Sequence, residues 1–274
     1  MDPTTNQPKA LTRQLVVRVA DRLFGLDIDI VREMLELPEL TPMPRVGERM
    51  RGVMNLRGRV VPVVDLRITL GMPPLGDEIE RTCEVLHQRQ ADHKNWLDEL
   101  DASIAEGRRF TGQTDPTKCK FGVWYANFES PNRQIAAFME RFDKPHRRIH
   151  SIATATSELV ASGQVDEALE MITSVRSSDL SALNQLFEQL RDMIQSSRRE
   201  VAVLLSDGGQ SFAASVDEVV AVETLELVHD AHDALESKGM SGMARGIATR
   251  ADGSLVLLLE IGTVAAGLNE VVEA

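Results

Sequence analysis

The chain has 274 residues, 42 acidic and 30 basic, with a formal net charge of −12, and it is 43% hydrophobic but only 4% aromatic. That length suggests one large domain or two ordinary ones, with a core filled mainly by Leu, Val, Ile and Met. The acidity argues against a grip on nucleic acid or an anionic membrane. No apolar run is long enough for a spanning helix, and the opening MDPTTNQPKA lacks an apolar signal core. With only Cys83 and Cys119 in a chain expected to be cytoplasmic, a structural disulfide is not expected.

Residues 1–11 read as a flexible tail. The segment 12–74 has the punctuation of β structure. Gln14–Ala20 is β-branched and partly alternating, Asp21-Arg22 makes a turn, and Leu23–Ile28 follows as its hairpin partner. Met50–Leu56 and Val60–Leu66 flank Arg57-Gly58-Arg59, a second hairpin in which Gly58 supplies the unusual backbone angle. Pro62 points to an edge strand or a bulge.

The middle, 75–198, changes period. Ile79, Cys83, Leu86, Gln90, His93, Leu97, Leu100 and Ile104 alternate steps of four and three, the seam of an amphipathic helix that Gly107 ends. Asp143 reads as the N-cap of a helix with Pro145 in its first turn, carrying Ile149, Ala153, Thr156 and Val160 and ending near Gly163. Leu180, Leu183, Phe187, Leu190 and Ile194 form another stripe, so a four-helix bundle is expected. Residues 199–268 return to strands. Val201–Leu205 and Ser211–Val216 flank Asp207-Gly208-Gly209, and Gly246–Thr249 and Leu255–Ile261 flank Asp252-Gly253. Neither β segment alone has enough strands to cover its edges. The simplest arrangement is one β protein of two small barrels sharing a core, with the helices inserted in a loop. Separate β domains at the two ends are the alternative.

The chemistry lies in the middle segment. His93 occupies a seam position where the pattern asks for an apolar residue. His146 and His150, spaced i, i+4, project from one helix face, and Cys119 adds a sulfur donor. Singly, these read as a core histidine, a solvated pair and a small buried hydrophobe. Together, three imidazoles and one thiolate suit a tetrahedral Zn²⁺. Cys83 reads as core packing, and His87, His229 and His232 as solvated. Motifs for hydrolase or nucleotide chemistry are absent, so no catalytic residue is expected and the chain reads as a non-enzyme.

His93-Lys-Asn-Trp96, Cys119-Lys-Phe-Gly-Val-Trp-Tyr125 and His146-Arg-Arg-Ile-His150 resemble the HxxW, CxFGxWY and HxxxH blocks of the chemoreceptor zinc-binding (CZB) domain, over about 79–197. The resemblance implies zinc on His93, Cys119, His146 and His150, with Trp96, Phe121, Trp124 and Tyr125 packed around it. Phe24–Glu33 and Arg51–Arg67 are similar to the first half of a CheW domain, and Val216–Val219 with Gly246–Ile261 to its second half. The similarity breaks after Gly71 and resumes near Val201. It departs at Ala244-Arg245-Gly246-Ile247 and in the polar stretch Glu223–Ser237.

These resemblances imply an α+β multidomain protein. Paired SH3-like β-barrels of the CheW type (12–74 with 199–268) would be interrupted by an all-α CZB insertion (75–198). They imply a cytoplasmic adaptor at receptor arrays on the inner face of the membrane, coupling the chemoreceptor tip to a CheA-type histidine kinase. A homodimer through the bundle is a further expectation. Val31, Glu33, Gly52 and Arg57 match partner-contact positions. Arg57 offers a forked donor on an exposed turn, and a solvated turn charge is the plainer reading. Asp65 and Asp217 read as turn caps. Cys119 would act as a redox switch that releases zinc on oxidation by hypochlorous acid. A purely structural zinc, and more remotely a zinc hydrolase, are the alternatives.

Overall fold

The computed structural model describes residues 11–130, 132–207, 210–228, 243–266 and 268. The tail up to residue 10, the Gly208-Gly209 turn, His229 and His232 lie outside the described residues. The chain forms two compact units, Met1–Asp77 with Arg199–Ala274, and Glu78–Arg198.

The first unit is built of β1 (Leu11–Val19), β2 (Arg22–Asp27), β3 (Val31–Glu36), β4 (Met50–Leu56), β5 (Arg59–Asp65), β6 (Val201–Asp207), β7 (Gln210–Val216), β8 (Glu218–Val228), β9 (Ala244–Thr249) and β10 (Leu255–Leu259). It also holds the short helix α1 (Leu66–Thr69) and a terminal helix, Ile261–Ala266. One sheet closes into a barrel in the order β1-β2-β10-β9-β8, and the other runs β3-β6-β7-β5-β4. Each sheet takes strands from both sides of the insertion and joins them through one parallel and one antiparallel pair, β2–β10 and β1–β8 in the barrel and β5–β7 and β3–β6 in the other sheet. Neither segment completes a sheet alone.

The periodicity of β1 follows from where its faces go. Gln14 through Val17 are all buried. Val16 points into the barrel with Leu225, Ala248, Val256 and Leu258. Leu15, Val17 and Val19 join Val64, Val203, Leu205, Phe212 and Val216 of the other sheet in a shared core. Strands buried on both faces lose polar alternation.

Two strands, β3 and β8, were not evident in the sequence. The stretch from Glu223 to Val228, part of the polar segment where the family similarity departs, completes β8 and pairs with β1 and β9. The departing segment Ala244–Ile247 lies in β9, where Arg245 pairs with Asp27 at 3.0 Å. The first turn falls on Ala20-Asp21, because Val19 pairs with Arg22. Ala20 has φ 54°, and its N–H donates to the Asp217 carboxylate at 2.6 Å. Pro62 is not on an edge, since β5 lies between β7 and β4. Val53, opposite Pro62, exchanges both its backbone hydrogen bonds with Thr41, and β5 joins β7 only from Val63. The missing N–H therefore breaks no ladder bond.

Asp65 and Asp217 both hold turns. Asp65 caps α1 through the Ile68 N–H. Asp217 accepts the buried Arg67 fork at 2.7 and 2.6 Å besides the Ala20 N–H, tying together three chain corners.

The helical unit contains four helical stretches: α2 (Leu75–Ala105), α3 (Lys120–Asn127), the run α4 (Arg133–Met139) to α5 (Asp143–Ala161), and the run α6 (Val165–Val175) to α7 (Ser181–Ser196). A 3-10 turn at Glu140–Phe142 links α4 to α5, and a π-helical turn at Arg176–Leu180 links α6 to α7. Gly107 and Gly163, at φ 65° and 81°, follow the ends of α2 and α5. Leu86, Leu97, Leu100, Phe121, Phe142, Ile149, Leu183, Phe187 and Leu190 form one buried core.

Asp143 is not a helix cap. Asn132 caps the run, with its side-chain oxygen accepting the Gln134 N–H at 2.9 Å, and Asp143 instead accepts from Arg147 at 2.7 Å. Phe138, Met139 and Phe142 are buried, so packing carries the helix back across Pro145. The 3-10 turn absorbs the hydrogen bond that Pro145 cannot donate to Arg141. The first half of α2 packs against α7: Arg191 donates to Gln90 at 2.8 Å, and Cys83, nearer the start of α2, lies close to Arg191, Asp192 and Gln195.

Candidate metal centre

The seam of α2 delivers His93 into the bundle, and α5 delivers His146 and His150 from one face. All three side chains are buried. Cys119 arrives as the N-cap of α3, with its sulfur accepting the Gly122 N–H at 3.2 Å. The close approach needs Gly122, because a Cβ there would stand 1.9 Å from the Pro116 carbonyl oxygen. One donor atom from each of His93, Cys119, His146 and His150 lies within 4.8 Å of all the others. The Cys119 sulfur is 3.2 Å from His146 Nε2. The imidazoles meet edge to face, with centroids 5.0 Å apart for His93–His146, 5.8 Å for His93–His150 and 4.9 Å for His146–His150.

Two ring tautomers are set by backbone carbonyls. His93 Nδ1–H donates to the Arg89 carbonyl at 2.7 Å, and His150 Nδ1–H to the Gln113 carbonyl at 3.1 Å. Their Nε2 atoms face inward, buried and without a hydrogen-bond partner. Such orphaned acceptors are costly unless something fills the space between them. A metal ion does so: ligating histidines commonly donate their other N–H to a carbonyl. Three nitrogens and a sulfur at this separation fit a tetrahedral Zn²⁺ with bonds of about 2.0–2.3 Å.

The electrostatics agree with that donor set. Burial, followed by repulsion from the neighbouring imidazoles, pushes His146 down to about 3. Burial and His93 push His150 down to about 4. Burial also lowers His93. All three are therefore neutral and free to donate at neutral pH. Burial raises the Cys119 thiol, partly offset by the Gly122 and Phe121 N–H groups at the start of α3. A cation between the donors favours the thiolate. Phe121 packs edge-on against His93 and His146 at 5.6 and 4.9 Å, and Phe187 and Trp96 complete an aromatic wall.

Comparison with known proteins agrees with both halves of this picture. Residues 93–156 match the model of the chemoreceptor zinc-binding domain, and residues 13–94 that of the CheW-like domain. A CheW-like domain and a chemoreceptor zinc-binding domain share this chain. It is 44% identical over 72 residues to a chemotaxis protein CheW of Rhizobium meliloti, covering 25% of this chain and 46% of that protein. It is 34% identical over 58 residues to the chemotaxis protein CheW of Thermotoga maritima, covering 21% and 38%. The chain thus spans less than half the length of these relatives. The scaffolding protein TtCheW from Thermoanaerobacter tengcongensis aligns over 92% of this chain and 90% of its own, at 13% identity and a TM-score of 0.40.

The CheW-like match ends before β6–β10, which supply the remaining strands of both sheets. Within its span, the four residues expected to meet partners are placed differently from one another. Arg57, at φ 52° in the β4–β5 turn, is exposed and donates to Glu33 of β3 at 2.7 Å. β3 and β4 are opposite edges of their sheet, so this ion pair spans the opening. Val31 begins β3 and packs half-buried on the shared core. Gly52 sits at φ 136° beside an irregularity in β4, where a Cβ would stand 2.4 Å from the Thr41 oxygen. Its role there is backbone geometry.

In the zinc-binding domain, the Arg89 and Gln113 carbonyls and the walls Phe110 and Phe142 carry no signal in the sequence, and Phe187 reads there only as part of a helical stripe. Backbone carbonyls carry no residue signature. His87 is exposed on α2, and Cys83 is half-buried against the core. No described helix is long and apolar enough to cross a membrane.

Proposed function

We propose that this chain is a non-enzymatic chemotaxis adaptor, coupling a chemoreceptor tip to a CheA-type histidine kinase, and that its helical unit holds one Zn²⁺ on His93, Cys119, His146 and His150. The observation that carries the metal reading is the convergence of four donors in which two buried Nε2 atoms have no protein partner. The CheW-like segment carries the adaptor reading. A discontinuous CheW-like domain, 12–74 with 199–268, around a zinc-binding insertion, 75–198, fits sheets that each draw strands from both segments. The place of action is the cytoplasm, at receptor arrays, with Arg57, Glu33 and Val31 on the partner-facing side and the buried Gly52 shaping the strand behind them.

Four protein donors leave no open coordination position for water, which argues against hydrolysis. The zinc acts as a sensor through Cys119. Hypochlorous acid transfers oxygen to the thiolate, forming the sulfenic acid and releasing chloride, and the strongest donor is lost. Zinc content, chelator competition and thiol titration before and after mild hypochlorous acid test this, alongside receptor-coupled kinase activity. One zinc released per thiol lost, with altered kinase output, supports the sensor. If Cys119→Ser leaves affinity and output unchanged, the switch fails. If metal removal unfolds the helices, the zinc is structural.

A further inference from the structure

Between the end of α2 and Cys119, the chain runs through a segment with little regular structure. Among the described residues, the Gln113 carbonyl is the one backbone group of Arg109–Thr114 that hydrogen-bonds to the rest of the protein. Two donors converge on it: His150 Nδ1–H at 3.1 Å and the Trp96 indole N–H at 2.8 Å. Trp96 also lies against the His150 ring, centroids 4.8 Å apart, and edge-on to Phe110 of the same segment at 5.1 Å. One indole therefore contacts the ligand ring, the carbonyl that orients it and the segment carrying that carbonyl.

We infer that Trp96 is a positioning residue for the metal centre. Its N–H pins the Gln113 carbonyl where that oxygen takes the His150 Nδ1 proton, which leaves His150 Nε2 as the bare, inward donor. Without that anchor, the carbonyl is held by His150 alone and the segment can drift. The imidazole then gains the other tautomer, with Nε2 protonated and unable to bind a cation. The inference extends the zinc reading above, on which its affinity arm rests. The HxxW spacing acquires a reason: on one helix, i and i+3 place the first ligand and the clamp of the fourth, His150, side by side.

The test uses the full chain with two substitutions. Trp96→Phe keeps a ring against His150 and Phe110 but removes the N–H. Replacing Trp96 with 3-benzothienylalanine keeps the full shape, with sulfur in place of the N–H. Trp124→Phe, which loses aromatic packing on Phe121, is the packing control. Zinc affinity is measured by chelator competition, and the His150 tautomer by nitrogen-15 NMR of metal-free protein. Both Trp96 replacements are expected to weaken zinc binding by about 10–100-fold, and to convert His150 from the Nδ1–H form to a mixture. Trp124→Phe should leave the tautomer intact. If the benzothienyl variant keeps wild-type affinity and tautomer, Trp96 only packs and the inference is overturned. If wild-type protein binds no zinc, the metal reading fails, while the tautomer measurement still decides the role of Trp96.

Discussion

Replacing His93 with Leu separates the metal reading from simple core packing. His93 takes a seam position of α2 between Phe121 and Phe187, with centroids at 5.6 and 6.1 Å, and its buried Nε2 has no partner. Leu has a similar volume and no orphaned acceptor. An unsatisfied buried acceptor costs about 1–3 kcal/mol, so the metal-free variant should be more stable than wild type by about 1–2 kcal/mol. The zinc-loaded comparison should reverse. A four-ligand structural zinc contributes about 10–16 kcal/mol, so one ligand in four is worth about 2.5–4 kcal/mol. That raises the zinc Kd by about 10²–10³-fold. Urea unfolding followed by helical circular dichroism, with chelator and with saturating zinc, reads both numbers. A metal-free variant less stable than wild type, with zinc affinity unchanged, would refute the reasoning and return His93 to an ordinary core role.

Acid should weaken the metal-free helical unit well above the folded histidine values. His146 and His150 are held at about 3 and about 4 against an ordinary 6.5, so below about 6.5 the unfolded chain binds protons that the folded chain refuses. Stability should then fall with pH, by up to about 1.4 kcal/mol per pH unit per histidine, down to about pH 4; a flat urea midpoint from neutral pH to about pH 4.5 would contradict this. Gly122→Ala should destabilise by about 1–3 kcal/mol despite the better helix propensity of Ala, because the new Cβ meets the Pro116 carbonyl, and zinc competition should show weaker binding. Asp217→Ala should cost the β unit about 3–5 kcal/mol by removing the carboxylate that the buried Arg67 guanidinium is paired with. In that unit, removing both charges together with Arg67→Met and Asp217→Leu should cost less than Asp217→Ala alone, as hydrogen exchange of β7 would show.

Much of the fold was legible because each unit uses a different period. The three-and-four steps from Ile79 to Ile104 belong to one buried helix face, and the Arg57-Gly58 and Asp252-Gly253 turns close hairpins between strands. What escaped notice had local signals that competed with tertiary ones. In β8, Thr224 and Glu226 alternate with core-facing Leu225 and Leu227 while Glu223 pairs with Arg250, and the polarity of these three hid the strand. Asp143-Lys-Pro145 looks like a helix start, yet the buried aromatics of α4 outweigh it. At the metal centre, four side chains could be named from spacing. The carbonyls of Arg89 and Gln113 could not, because any residue supplies a carbonyl and only the path of the chain decides where it points.

The insertion creates a thermodynamic link that depends on connectivity alone. Both sheets need β6–β10 to meet β1–β5, so the chain between Asp77 and Arg199 acts as a closing loop of the β unit. When the helical unit is folded, Cys83 in the first third of α2 lies beside Gln195 near the end of α7, and the loop behaves as a short one. When it is unfolded, the same closure spans about 120 residues, and the logarithmic law costs about 3 kcal/mol more than closing a loop of about four residues. A structural zinc that holds the helices folded thus also stabilises the strand pairing, with no contact between the units required. Hydrogen exchange at Ala202, Val203, Ala213 and Ala214, core residues of β6 and β7, separates the two accounts of the metal. Chelation that unfolds the helices should raise exchange there by about two powers of ten. A sensor that loses zinc while its helices stay folded should leave exchange in these strands unchanged, and its signal must then pass through the partner surface.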